Sequence, residues 1–472
     1  MEDFWDEYTQ DQMDAVVQRF ENMLEKHSHY FFDVEEFITI IDYYMDAFDY
    51  EKSQIALQYA EDQYPDNISL LLKKAQLYAH NDQTERALNI LADIEQIEPN
   101  NPDISYTKGT IYSYLQKYEK AIAEYNKAIL QADDVEDLYL NIASDYENLG
   151  NFAKAIEYYQ KTLSENPKND YAIVNLSMDY EYASMQAEGM SYLSNLLEQY
   201  PMQKTLWTSY GILCCSLDLY EKGLEAFDYA IALDPEDLGA VLNKGLTLSS
   251  MDRYEEAIAL FKEVLRNHPG EVLCLMHIAE CYENKEDYKN AEIYYKKVSQ
   301  AHPGFFGAWY GLSICAYELG HLNKAIKYIQ IVLDKDDSNA EAWNLYGEYL
   351  YEKNKIEEAF EAFERAHILQ PDQINYFAAY LFTMIDMDKK AEAYTLIQTS
   401  LDKNPSSVSF KALYAAFLLK DGKMEEALDR LVEVLSAKVE ILAEIKEYYP
   451  EMLEMKEVKD LFKIPSTKKK SK

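Results

Sequence analysis

Apolar residues in this chain recur three and four apart in blocks about one helix long, and the blocks return at a fixed interval of 34 residues. The pattern is clearest between Ala340 and Gln373. Trp343, Tyr346, Gly347 and Leu350 fall on one face of a first helix, and Ala359, Phe363 and Ala366 on one face of a second. Pro371 cannot extend a helix and closes the unit. Gly347 and Ala359 predict a close approach of the two helices, with Trp343 and Phe363 filling the space around their crossing.

The interval holds without insertion or deletion. A small residue stands at Ser53, Ala87, Ala121, Ala155, Gly189, Gly223, Ala257, Ala291, Ala325, Ala359, Ala393 and Ala427. A second small position, on the first helix, is met at Ala75, Gly109, Ala143, Ser177, Gly211, Gly245, Ala279, Ser313, Gly347 and Ala415. Tyr125, Tyr159, Phe227, Phe261, Tyr295 and Phe363 hold a bulky core position, and prolines such as Pro99, Pro167, Pro235 and Pro303 close units. Three positions in phase over this length resemble the tetratricopeptide repeat, whose signature is Trp-x2-Leu-Gly-x2-Tyr, then Ala-x3-Phe, then Pro.

The resemblance implies an all-α fold, a right-handed α-solenoid of helix-turn-helix units in which each unit packs on its neighbours. Twelve units span 34–441, with starts at 34, 68, 102, 136, 170, 204, 238, 272, 306, 340, 374 and 408. Residues 1–33 are expected to form an acidic segment and a capping helix through Met13, Val16, Val17, Phe20, Met23 and Leu24. Residues 442–463 are expected to complete C-terminal capping helices that begin near Val439 and break at Pro450, the second running from Glu451 to Phe462. Residues 464–472 form a Lys-rich tail expected to be disordered. Neither flank is long enough for an independent enzyme domain. The unit from Asp170 to Gln203 departs most from the pattern, with Gln186 at a usually aromatic position, yet it still ends on Pro201.

Composition narrows the function classes. Asp and Glu number 84 against 45 Lys and Arg, a net charge of −39, which opposes binding to a phosphate backbone and argues against a nucleic-acid partner. No apolar run is long enough for a membrane helix, and Met1–Gln10 lacks the basic start and apolar core of a leader. Cys214, Cys215, Cys274, Cys281 and Cys315 form no Cys-x2-Cys pair and read as reduced core thiols, so a cytoplasmic location is expected. Most of the 42 tyrosines sit where a repeat packs a ring.

Catalytic motifs are missing: no phosphate-binding Gly-x4-Gly-Lys-Ser/Thr loop, no Gly-x-Gly-x2-Gly, no His-Glu-x2-His and no Gly-x-Ser-x-Gly. No enzymatic activity and no cofactor are expected. Cys274, His277 and Cys281 share a helical face, and Cys315 stands one unit on from Cys281, a set with donors suited to zinc. Structural zinc sites draw ligands from turns, so these residues are read as core and no metal is expected.

In the family the groove is lined by positions 2, 5, 9, 12 and 13 of each first helix. Here those positions carry an early set of carboxylates, including Asp103, Asp137, Glu147 and Glu181, and a late set, including Glu280, Glu283, Glu341, Glu348, Glu352 and Asp386, with Lys420 the sole cation. Ile212, Leu242 and Leu246 belong to an uncharged stretch between them. Tyr106, Tyr114, Tyr171 and Tyr182 flank it on one side, Tyr310, Tyr317 and Tyr351 on the other. The family's clamp for acidic chaperone tails does not carry over, because position 5 holds no lysine. The expected function is a non-enzymatic protein-binding scaffold whose partner is an extended or helical protein segment with apolar anchors and basic flanks. The alternative is a regulatory or substrate-recruiting subunit of a separate enzyme. Self-association through the terminal repeats stays open. Finally, the groove positions near the C-terminal end turn apolar at Ala378, Phe382, Ile385, Ala412, Ala416 and Leu419, and the C-terminal helices are expected to cover them.

Overall fold

A computed structural model describes residues 10–26, 30–437, 441, 445–446 and 449–462. The first nine residues, most of 438–448 and the Lys-rich tail lie outside this range, and with them the expected N-terminal acidic segment and most of the helix from Val439 to Tyr448. Among the described residues the only regular secondary structure is helix. The chain divides into two compact units, Met1–Thr247 and Leu248–Lys472.

Within each unit the building block is an antiparallel helix pair. The pair Ala340–Glu352 and Ile356–Leu369 shows the logic. Asn339 caps the first helix, its side chain accepting from the Ala342 amide at 2.9 Å. Gly347 faces the Phe363 ring so closely that an added Cβ would lie 2.6 Å from it. The small residue therefore makes room for the ring as much as for the opposing helix. Closer backbone approach occurs at Gly223, whose added Cβ would sit 3.1 Å from the Gly211 carbonyl. Phe363 is nearly fully buried, which contributes roughly 1.5–3 kcal/mol of hydrophobic stabilisation. Trp343 ties the pair to the preceding turn by donating from Nε1 to the Asp337 carbonyl at 2.9 Å. Trp207 to Pro201 and Trp309 to Pro303 repeat this bond.

The turn inside each pair has a conformation that the sequence pattern did not suggest. One residue there adopts a left-handed backbone, at Phe48, Asp82, Gln116, Gly150, Ser184, Asp218, Asp252, Glu286, Gly320, Asn354, Asp388 and Gly422. These residues are 34 apart throughout. Glycine, asparagine and aspartate reach this region at little cost, whereas Phe48, with φ of 56°, is strained. The degenerate unit is no exception to the plan: Asp170–Tyr182 and Gln186–Gln199 both form.

The first unit is closed at its N-terminal end by Gln10–Glu25. Its Val16, Val17, Phe20 and Met23 are buried against Phe32, Phe37 and Tyr44, and Arg19 bonds Glu36 at 2.7 Å. In the second unit Ile441, Ile445, Met452 and Val458 share a core with Ala412, Ala416 and Leu419, and the Tyr449 ring lies 5.3 Å from Phe382. The C-terminal segment thus covers part of the apolar first-helix surface. The single helix expected from Glu451 to Phe462 is corrected to two short ones, Pro450–Glu454 and Lys456–Phe462, with extended backbone at Met455. Met452 and Val458 are six positions apart and would face different sides of one continuous helix; the break lets both reach the core.

Candidate protein-binding groove

First helices in each unit meet along a repeated seam: the twelfth residue of one faces the tenth of the next. Ser113 donates to Asp145 at 2.5 Å, Cys215 meets Thr247 at 3.4 Å, Cys281 meets Ser249 at 3.7 Å, and Tyr317 stacks on Tyr349 at 4.9 Å. Groove positions flank this seam, so a residue's neighbour in the adjacent pair decides whether its polar atoms are free.

In the first unit, Tyr106 is half-buried with its ring 6.1 Å from Tyr125. Tyr114 is exposed but donates to Asp82 at 2.6 Å. Tyr182 is exposed, 5.0 Å from the Phe152 ring. Tyr171 is 56% exposed and lies edge-on to Tyr159 at 6.5 Å. Glu147 and Glu181 are half-buried, as are Ile212 and Leu242, while Leu246 is exposed. Burial lifts the Glu147 carboxyl above the usual glutamate range. A cleft of about 360 Å³ gathers Tyr106 with Asp103, Asp133, Asp134 and Asp137, and no Lys or Arg lines it.

In the second unit, Glu283 accepts from the Tyr295 hydroxyl at 2.7 Å, and burial raises its pKa. Glu280 is held by His277 Nδ1 at 2.7 Å. Tyr310 donates to Glu341 at 2.8 Å, and Tyr351 to Asp386 at 2.7 Å. Tyr317 is pushed up to about 12, first by its hydrogen bond to Glu352. Glu348 accepts from Asn344 at 2.7 Å; it keeps solvent access yet sits low among neighbouring side chains, which raises its pKa. Lys420 stands 3.7 Å from Asp386. Asn344, Glu348, Tyr351, Phe382, Lys420 and Tyr449 line a cavity of about 580 Å³.

Tyr114, Tyr310 and Tyr351 spend their hydroxyls on carboxylates of the same chain, and Lys73, outside the groove positions, pairs with Asp42 at 2.8 Å. The candidate zinc set does not converge: His277 turns to Glu280, and Cys281 to Ser249. Burial pushes the Cys274 and Cys315 thiols up to about 11 and about 12, which disfavours the thiolates a metal needs. No group of three or more His, Cys, Asp or Glu among the described residues is placed to hold a metal.

Sequence reading missed Asp145 and Asp179, each 1% exposed. They occupy the tenth position of their first helices, where others place Leu77, Ile111, Leu213 or Phe417. A charge at a position otherwise uncharged was the available signal. Burial lifts Asp145 to about 6, and burial together with Glu147 lifts Asp179 to about 7.

Tetratricopeptide repeat models match residues 136–169, 242–304, 284–349 and 340–372. The chain is a tetratricopeptide repeat protein. A model of anaphase-promoting complex, cyclosome, subunit 3 matches residues 49–128 of this tetratricopeptide repeat protein. Among solved structures it is similar to a tetratricopeptide repeat protein from Parabacteroides merdae, at 17% identity over 53% of this chain and 98% of that one, with a TM-score of 0.41. It is also similar to the APC/C hetero-tetramer Cut9–Hcn1, at 14% identity over 87% and 94%, TM-score 0.40. A third similarity is to YrrB, described as a TPR protein with an unusual peptide-binding site, at 22% identity over 40% and 96%, TM-score 0.33. Tetratricopeptide repeat proteins are generally non-catalytic scaffolds for protein–protein contact. No helix among the described residues is long and apolar enough to cross a membrane.

Proposed function

We propose that this tetratricopeptide repeat protein, parsed as twelve repeats over 34–441, is a non-enzymatic scaffold. Its first helices bind an extended or helical protein segment carrying apolar anchors flanked by Lys or Arg. The observation that carries this is the cleft around Tyr106: four aspartates converge on one concave surface with no cation in its lining. Glu147, Glu181 and Tyr171 continue the same chemistry along the first unit, with Ile212, Leu242 and Leu246 offering apolar contact beyond. Among the described residues the cysteines are unpaired, which supports a reducing, cytoplasmic location.

The test is fluorescence anisotropy with two labelled peptides of identical apolar sequence, one flanked by Lys and Arg and one by Glu. The basic peptide should bind more tightly, and its advantage should shrink between low and physiological salt, where charges are screened over about 8 Å. A preference for the acidic peptide would refute the reading.

A further inference from the structure

The seam between Glu136–Asn148 and Asp170–Tyr182 places Glu147 against Asp179. Asp179 is almost wholly buried, and its Oδ2 has no hydrogen-bond partner. Behind the pair, on Phe152–Glu165, stands Tyr159. Its hydroxyl is fully buried and directed at the Glu147 carboxylate, short of a well-formed hydrogen bond. One pair earlier Asp145 is as deeply buried; Ser113 satisfies one oxygen, and Oδ2 is left over.

Among the described residues no Lys, Arg or His acts on Asp145, Glu147 or Asp179. The titratable groups that face them are Tyr125 from Tyr118–Ile129 and Tyr159 from Phe152–Glu165, with Tyr171 from Asp170–Tyr182 on the far side of Tyr159. None can supply positive charge. Buried carboxylates ordinarily come with a cation or with enough donors to replace one, because an unpaired buried charge is costly. Here the donors run out, and an acidic hydroxyl–carboxylate cluster is left with three unsatisfied buried atoms.

The cluster opens to solvent on one side. Glu147 is only half-buried, and Tyr171 beside Tyr159 presents a largely exposed ring. A carboxylate on one side of Tyr159 and an exposed aromatic ring on the other, backed by further negative charge, suit a long side chain with a planar cation that can both hydrogen-bond and stack. We propose that Glu147 and Tyr171, with Asp179 and Tyr159 behind them, form the seat for one arginine side chain of the bound segment. This rests on the proposed scaffold function and says where in the first unit a basic anchor goes. Arginine rather than lysine fits best, because its several donors can serve Glu147 while its plane lies on Tyr171.

Two measurements on the full chain test this. In the first, a labelled apolar peptide with one arginine is compared with the same peptide carrying citrulline, an uncharged near-isostere. The wild type at about pH 7.5 should favour arginine by about tenfold, as expected for a partly shielded ion pair with a cation–π contact. Glu147→Gln should abolish the preference, and Asp179→Asn should reduce it and flatten its pH dependence. The preference should be weaker at about pH 5.5, where Asp179 holds its proton. Glu119→Gln, on an exposed second-helix site, should change nothing.

In the second, argininamide alone is added in a thermal shift assay. It should stabilise the wild type and leave Glu147→Gln unmoved, with circular dichroism confirming that the variant is folded. Peptide binding with an arginine preference that survives Glu147→Gln would overturn the seat while leaving the scaffold reading intact. Argininamide discrimination without peptide binding would do the reverse. If argininamide does not distinguish wild type from variant, Glu147 and Asp179 merely share a proton and the seat is refuted.

Discussion

Replacing Asp179 by asparagine should make the first unit less sensitive to alkaline pH, and the size of the effect follows from the fold. Asp179 is held at about 7 and Asp145 at about 6, against an ordinary value of 3.8. An acid raised in this way keeps its proton in the folded chain at a pH where the unfolded chain has lost it. Stability therefore falls as pH rises through the window between the two values. At 1.36 kcal/mol per pKa unit, Asp179 costs about 4 kcal/mol once fully ionised, and roughly 2–3 kcal/mol of this is incurred between about pH 5 and pH 8. Asp145 adds about 1 kcal/mol over the same interval. Glu147 is raised by burial and contributes with the same sign. Glu157 and Asp234 are lowered by their lysine partners and act below the window. Hydrogen exchange is the suitable assay, because stability in a stack of repeats is largely local. After correction for intrinsic rates, Glu136–Asn148 and Asp170–Tyr182 should be less protected at pH 8 than at pH 5, and Asp179→Asn should remove most of that difference. Equal protection at both pH values in the wild type, or a variant that keeps the full slope, would refute the electrostatic argument.

Adding bulk where the helices of a pair meet should be costly: Ala359→Leu or Gly347→Ala should lower stability by about 1–3 kcal/mol, while Glu357→Leu on an exposed site should leave thermal unfolding nearly unchanged. Phe48→Gly should stabilise the first pair by up to about 1 kcal/mol, since the ring is 78% exposed and the left-handed backbone is strained; a lower melting temperature would count against it. Chelators should leave the melting temperature unchanged and released zinc should be sub-stoichiometric; one zinc per chain that disappears in His277→Ala would reverse the reading of Cys274, Cys281 and Cys315. Removing residues 439–472 should uncover Phe382, Ala412, Ala416 and Leu419, giving dye binding and self-association measurable by light scattering, whereas a dye-silent monomer would show that the segment covers nothing essential.

The periodic sequence determined the helix pair and its register. Gly347, Ala359 and Phe363 carry that information locally, because a helix face and a close approach are dictated by spacings of three and four and by side-chain volume. Composition likewise fixed the acidic character of the first helices. What the sequence did not settle is which polar atoms remain free. That depends on residues about 32 to 35 positions apart, brought together only when one pair stacks on the next: Ser113 with Asp145, Tyr351 with Asp386, Glu147 with Asp179. The same stacking spends the Tyr114 and Tyr310 hydroxyls and turns Asp145 and Asp179 into buried acids. Local spacing encodes the faces of a helix; the charge state and availability of a side chain are set by the dielectric and the neighbours that tertiary packing gives it.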